Sequence, residues 1–407
     1  MKIKCVKGTR DFLPREAELR ESIRRTIFEI YRKNGFSLIN TPAIEDAENL
    51  DKSDGGDNLN LIFKILKRGD KLQKALESGD EKQLCDLGLR YDLTLPLTRY
   101  FAANRNELPL PFKAIQMDKV YRAENPQKGR LREFMQCDID VIGDPSPDCE
   151  TELIAVTAKA LKALDIGGFT VRVNDRAVLN KMLAALGFPE NELSTVCVSF
   201  DKLDKIGAEG VCAELSEKGF DKSAVDKLSG IISSLPVSLE EITKIVGEEA
   251  AGNLSKIISD SKTLSNGEYG VEFDISLVRG QGYYTGTVFE VRSENFGSSI
   301  AGGGRYDDLI GKFTGEKIPA CGFSIGFERI FSILSDMERA ASSKEKIAVF
   351  FDNSYADVCA KAEELRESYD VSVFRTPKKL GPFLNKLQNS GFVGFAYSDG
   401  NVRTFEK

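Results

Sequence analysis

"YRAENPQKGRLREFMQCDIDVIG", residues 121–143, lies in a chain of 407 residues that contains no histidine. Side chains of a strand alternate faces with period two. In 130–143, Leu131, Glu133, Met135, Cys137, Ile139 and Val141 therefore share one mostly apolar face. Arg130, Arg132, Phe134, Gln136, Asp138 and Asp140 share the other. The preceding stretch, 112–124, reads as a strand with Arg122 and Glu124 on one face, and "NPQKGR" is a turn that lets the two polar faces meet. The result is a surface with arginines at one end, a ring in the middle, and an amide with carboxylates at the other. An arginine fork matches a phosphate, a ring stacks on a base, and carboxylates with an amide suit an amine or a nitrogen heterocycle. A solvated hairpin with cross-strand salt bridges uses the same residue types, and this stretch alone leaves both readings open.

The missing histidine excludes Ser-His-Asp and Cys-His nucleophile systems, a histidine general base and histidine-ligated metals. Chemistry must run on carboxylates, arginines, tyrosines and amides. A hydrophobic content of 41% with 29% charged residues is globular, and 407 residues allow two or three domains. The formal net charge of -7 argues against a generally basic nucleic-acid coat, so any such contact would be local. The eight cysteines form no CxxC pair and read as reduced core or strand residues. With no signal-like start and no membrane-length apolar run, a soluble cytoplasmic protein is expected.

Working outward, a helix is expected after Pro14, ending at "KNG". "FSLINTPAIED" (36–46) reads as a strand ended by Pro42, and "LRYDLTLPLTRYFAAN" (89–104) as strand into helix. "GFTVRVND" (168–175) is a further strand. From 176 to 266 the chain turns helical, with capping signals such as "SLEEITKIV". Strand character returns at 269–297 and 299–306, and "ACGFSIGFERIFSILSDM" (320–337) is strand into helix. After a linker at 337–346, a βαβαβ-like unit fills 347–407. The expected division is thus 1–175, a helical insertion 176–266, a return 267–338, and a C-terminal α/β domain 347–407.

Three further stretches carry chemistry. "ISLVRGQGYYTGTVFEV" (275–291) sets Arg279 and two tyrosines beside glycines that admit a ligand to the backbone. "AGGGRYDDL" (301–309) is similar. "GFSIGFERIFSIL" (322–334) puts Arg329 in a helix's first turn, where a phosphate is favoured. A bulge with core tyrosines and a solvated arginine are the plain alternatives.

Taken in order, these stretches resemble the histidyl-tRNA synthetases, class II aminoacyl-tRNA synthetases. "KGTRDFLP" is similar to the family's opening signature, "FSLINTPAIED" to class II motif 1, "YRAENPQKGRLREF" to motif 2 and "GFSIGFERI" to motif 3. "LRYDLTLPL" and "LVRGQGYYTG" resemble stretches specific to the histidine enzymes. The resemblance covers essentially the whole chain. It implies an α+β fold: a six-stranded antiparallel sheet flanked by helices, a helical insertion and a C-terminal α/β anticodon-binding-like domain. It also implies a homodimer built through motif 1, and a reaction in which histidine and ATP, accompanied by Mg²⁺, give histidyl-adenylate for transfer to tRNA(His). No protein-held metal is implied.

Carried over residue by residue, the resemblance gives Arg122 the α-phosphate of ATP and the substrate carboxylate, and Glu124 the adenine side. Phe134 would stack on adenine, with Arg130 and Arg329 on the tail phosphates and the other adenine face. Asp92, Thr94 and Gln136 match positions that hold the substrate α-amino group. Asp140, Tyr284 and Tyr306 match the imidazole pocket, and Arg279 an arginine that takes part of a metal's charge-neutralising role. Two departures stand out: Gln281 and Gly282 where many relatives have Leu and Asp, and aspartate rather than glutamate at "RYD" and "CDID". The C-terminal domain also looks short, and its eight Lys/Arg against eight Asp/Glu give no basic patch for tRNA. Two rivals are a non-catalytic histidine sensor such as the ATP phosphoribosyltransferase regulatory subunit, which would be expected to lose the ATP-site arginines, and a class II synthetase for another amino acid. Under the histidine reading, the empty histidine column means that making this chain consumes no histidyl-tRNA.

Overall fold

The computed structural model describes residues 3–52, 61–126, 131–278, 284–294, 296–337 and 344–405. It divides into two compact units, Met1–Thr9 with Arg24–Ile333, and Arg10–Ile23 with Leu334–Lys407. Among the described residues the first unit holds eleven strands: β1 (Ser37–Leu38), β2 (Ile44–Asp46), β3 (Lys64–Leu66), β4 (Cys85–Leu89), β5 (Phe112–Tyr121), β6 (Glu133–Ile142), β7 (Phe169–Asp175), β8 (Gly270–Phe273), β9 (Thr287–Ser293), β10 (Phe296–Arg305) and β11 (Ala320–Gly326). Eight of them form one sheet in the order β1-β5-β6-β11-β10-β9-β7-β8. The six from β5 to β7 pair antiparallel throughout. Short β1 and β8 add to the edges in parallel. The expected six-stranded antiparallel sheet is thus the body of a wider, mixed one.

The edges differ from the expectation for local reasons. The stretch 36–46 is two short strands, because Pro42 has no N–H to give a ladder. Beyond it Ile44–Asp46 joins β4 and β3 in a separate three-stranded sheet. Residues 269–297 likewise hold two strands: the buried Asn174 amide donates to the carbonyls of Ile275 and Leu277 at 3.1 and 3.0 Å and draws the chain out of the sheet between β8 and β9. The strand expected over 112–124 ends at Tyr121.

Between β7 and β8 lie six α-helices: Arg176–Leu186, Leu193–Phe200, Leu203–Glu217, Lys222–Ser233, Leu239–Val246 and Glu248–Ser265. The helix Leu239–Val246 opens with the capping box that "SLEE" announces, Ser238 and Glu241 each bonding the other's backbone N–H. The second unit carries β12 (Lys346–Phe351), β13 (Asp370–Arg375), β14 (Phe392–Ala396) and β15 (Arg403–Thr404), in the order β13-β12-β14-β15. The first three are parallel and β15 is antiparallel. Phe350 is its aromatic centre, touching Phe374, Phe383, Phe395 and Tyr397. No helix among the described residues is long and apolar enough to cross a membrane.

Candidate active site

The polar face of β6 is the floor of the site. Its register sets Asp140 opposite Gly322, Asp138 opposite Ser324 and Gln136 opposite Gly326 on β11, and Gly304 of β10 continues the row beyond Gly322. The glycines make the hollow. A Cβ on Gly322 would stand 2.0 Å from Asp140 Oδ1, and one on Gly304 would meet the Thr287 carbonyl at 2.6 Å and the Tyr284 ring at 3.1 Å. With no side chains there, a cavity of about 190 Å³ opens, lined by Asp92, Thr94, Arg122, Gln136, Asp138, Asp140, Tyr284 and Tyr306 among others.

Its chemistry is dominated by buried acceptors. Tyr306, 1% exposed, donates its hydroxyl to Asp140 Oδ1 at 2.6 Å. Asp140 Oδ2 and Gln136 Oε1 are buried and have no hydrogen-bond partner among the described residues. Burial pushes the Asp140 carboxyl up to about 7, against the Tyr306 hydrogen bond and with a smaller push from Asp92. Burial also raises Asp92, although Leu95 N–H bonds it at 3.0 Å. Asp138 is raised well above the carboxylate range by burial and then by neighbouring Asp140. A site this rich in unfilled acceptors suits a ligand that brings N–H donors.

A second cavity of about 530 Å³ is lined by Glu124, Phe134, Glu328 and Arg329, and shares Tyr91, Arg122, Gln136, Tyr284, Gly302 and Ser324 with the first. Arg122 is the hinge between them. Its Nε donates to the Tyr91 carbonyl at 3.2 Å, and its guanidinium lies 4.3 Å from the Tyr91 ring centre and 4.9 Å from that of Phe134. Phe134 therefore faces an arginine here. The helix Phe327–Asp336 starts directly from β11, so Arg329 sits in its first turn, donating to the Ser299 carbonyl, and its N-terminal end borders the cavity. Glu328 accepts from Met135 N–H at 3.2 Å.

Ten of the twelve residues singled out above thus line one or both cavities; Arg130 and Arg279 lie outside the described residues, as do Gln281 and Gly282. Sequence reasoning missed several supports. Arg90, 2% exposed, donates to the carbonyls of Lys119 and Thr41 and pairs with Asp118 at 2.7 Å, while Gln116 donates to the Leu93 carbonyl at 2.7 Å. Together they fix the loop bearing Asp92. Arg305 forks onto Glu150 with two 2.7 Å bonds and anchors the strand end from which Tyr306 projects. Asp138 shares the polar face of β6 and accepts from the Gln136 amide at 3.2 Å, a contact that alternation alone does not reveal. Ser324 carried no local signal.

The sequence profile described as "Histidyl-tRNA synthetase" matches residues 8–330. The histidine–tRNA ligase of Leifsonia xyli is 42% identical over 97% of this chain and 95% of its own. The chain belongs to the histidyl-tRNA synthetase family. The crystal structure of histidyl-tRNA synthetase from Nostoc sp. PCC 7120 superposes with a TM-score of 0.79 at 27% identity, covering 97% of this chain and 91% of that one. A structure titled as an ATP phosphoribosyltransferase regulatory subunit/histidyl-tRNA synthetase from Bacillus halodurans also gives 0.79, covering 98% of each chain, at 23% identity; that likeness shows the shared fold alone. The antiparallel sheet, the helices between β7 and β8 and the ligase class all accord with family membership.

Proposed function

We propose that the chain activates histidine with ATP to histidyl-adenylate and transfers the histidyl group to tRNA(His). The observation that carries this reading is the pair of bare, buried acceptors, Asp140 Oδ2 and Gln136 Oε1, in one cavity that opens through Arg122 onto a second, larger one. Histidine brings the complementary donors, an α-ammonium for Asp92, Thr94 and Gln136 and a ring N–H for Asp140. The other ring nitrogen accepts from a tyrosine hydroxyl, a role for Tyr284, which lines the cavity, while Tyr306 donates to Asp140.

In the first step a histidine carboxylate oxygen bonds to the α-phosphorus of ATP, the bond to the bridging oxygen breaks, and pyrophosphate leaves. The carboxylate is already ionised at neutral pH, so no general base is required, which suits a chain without histidine. What is required is that two anions be held in line while charge grows on phosphate. Arg122 serves both anions from its place between the cavities, and Arg279 shares the neutralisation. Arg329 and Arg130 hold the tail, Glu124 reads the adenine side and Phe134 stacks on the ring. Mg²⁺ enters with ATP and supplies further charge neutralisation when bound. Glu328 lines the larger cavity with a carboxylate oxygen of the kind that such a hard cation would take. In the second step a terminal hydroxyl of tRNA attacks the adenylate carbonyl and AMP leaves.

The reading extends to a homodimer paired through 36–46, a cytoplasmic setting, an insertion over 176–266, and an anticodon-binding role for 347–407 despite its even charge. Histidine-dependent exchange of pyrophosphate into ATP tests it. Exchange with histidine and with no other standard amino acid is the expected result; no histidine-dependent exchange would refute it.

A further inference from the structure

Asp138 lies in the middle of the floor, 3% exposed, between Gln116 of β5 and Ser324 of β11 in the sheet register. The reading above leaves it without a task, and its contacts give it one. The Gln136 amide nitrogen is 3.2 Å from Asp138 Oδ2, 3.4 Å from Oδ1 and 3.2 Å from Ser324 Oγ. Ser324 in turn donates to Asp138 Oδ1. Both amide hydrogens of Gln136 are thereby drawn toward Asp138 and Ser324, and Oε1 is the atom left bare.

An amide has two ends of opposite character. Turned over, Gln136 would press its carbonyl oxygen on the oxygens of Asp138 and Ser324 and present an NH₂ where the reading places an ammonium group. A carboxyl oxygen accepts from Nε2 whether or not its fellow carries a proton.

We infer that Asp138, assisted by Ser324, fixes the Gln136 amide with its oxygen toward the cavity and so sets the site's demand for an amino group on the ligand. Asp138 is a positioning residue, acting through Gln136. The inference rests on the histidine reading and deepens it.

The test compares histidine with imidazolepropionate, which is histidine without its amino group, by calorimetric titration of the full chain. The parent prefers histidine. Asp138→Leu removes the acceptor, and the preference falls roughly tenfold or more, the scale of a hydrogen bond to a charged group, while imidazolepropionate affinity changes less than about twofold. Asp138→Asn keeps one acceptor oxygen and retains most of the preference. Should Asp138→Leu fail to fold, Ser324→Ala gives the same readout: it removes one of the two acceptors and lowers the preference by a smaller factor. A preference unchanged in Asp138→Leu, or in Ser324→Ala in its place, or equal losses for both ligands, overturns the inference alone. A parent that binds neither ligand removes the histidine reading and the inference with it.

Discussion

The two joined cavities solve their recognition problems by different physics. The smaller one is built on strands, and on the proposed reading its selectivity comes from buried acceptors that a wrong ligand leaves unpaired: Asp140 and Gln136, with Asp138 behind Gln136 and the Tyr306 hydroxyl donating to Asp140. The larger one is lined by a helix start, a hairpin and the side chains of Arg122, Arg329 and Phe134, and on the proposed reading it works by charge and stacking. Unpaired buried polar groups cost about 1–3 kcal/mol each, so the first cavity discriminates steeply between ligands of similar size. A guanidinium matches any phosphate well, so the proposed role of the second is binding and catalysis with less discrimination.

The largest effect is expected where the two meet. Arg122→Ala removes the one cation among the described residues that lines both cavities, and should lower the rate of pyrophosphate exchange by about a hundredfold or more, the scale for one charge-stabilising group, with the fold intact by circular dichroism. An active Arg122→Ala protein would deny it that role. Arg279→Ala is expected to do the same. Next comes the hollow itself. Gly322→Ala places a methyl where Asp140 Oδ1 now stands, so the carboxylate must move. Histidine KM should rise by roughly ten- to thirtyfold, the loss of one buried hydrogen bond, while the KM for ATP stays within about twofold. A rise in both would mean that the cavities do not divide the work.

A third effect needs no ligand. The Asp140 carboxyl stands near 7 in the folded protein against an ordinary 3.8. The folded state therefore holds its proton longer than the unfolded chain, and the native state loses stability as pH rises from about 4 to 7. Below that window both states are protonated and no penalty exists. Asp140→Asn should accordingly gain on the parent at pH 8 by on the order of 2 kcal/mol, seen as a higher Tm, and the gain should vanish near pH 4. An equal gain at both pH values would place the cause elsewhere.

The same contrast explains what was legible in the sequence. The hairpin, the helical block and the strand-into-helix at 320–337 follow from local periodicity, and the capping box at Ser238 is a four-residue signal. Gln136, Asp138 and Asp140 share a face by counting in twos, so the floor could be read from β6 alone. Ser324 could not, because it meets Asp138 only through the β6–β11 register, 186 residues apart in sequence. Arg90 reaches Thr41 across 49 residues, and Arg305 reaches Glu150 across 155. Each looks like an ordinary charged residue until the sheet is assembled. The edge strand β8 ends at Phe273 for a related reason: just beyond it, Asn174 bonds the carbonyls of Ile275 and Leu277, hydrogen bonds that no local window contains.

The division of labour is tested most directly by titrating Asp140→Ala separately with histidine and with ATP. The account predicts that histidine affinity falls at least tenfold, the cost of losing a buried acceptor, that selectivity over analogues without a ring nitrogen narrows, and that ATP affinity stays within about twofold. Unchanged histidine affinity and selectivity would show that another residue reads the ring, and equal losses for both ligands would show that the two cavities are one.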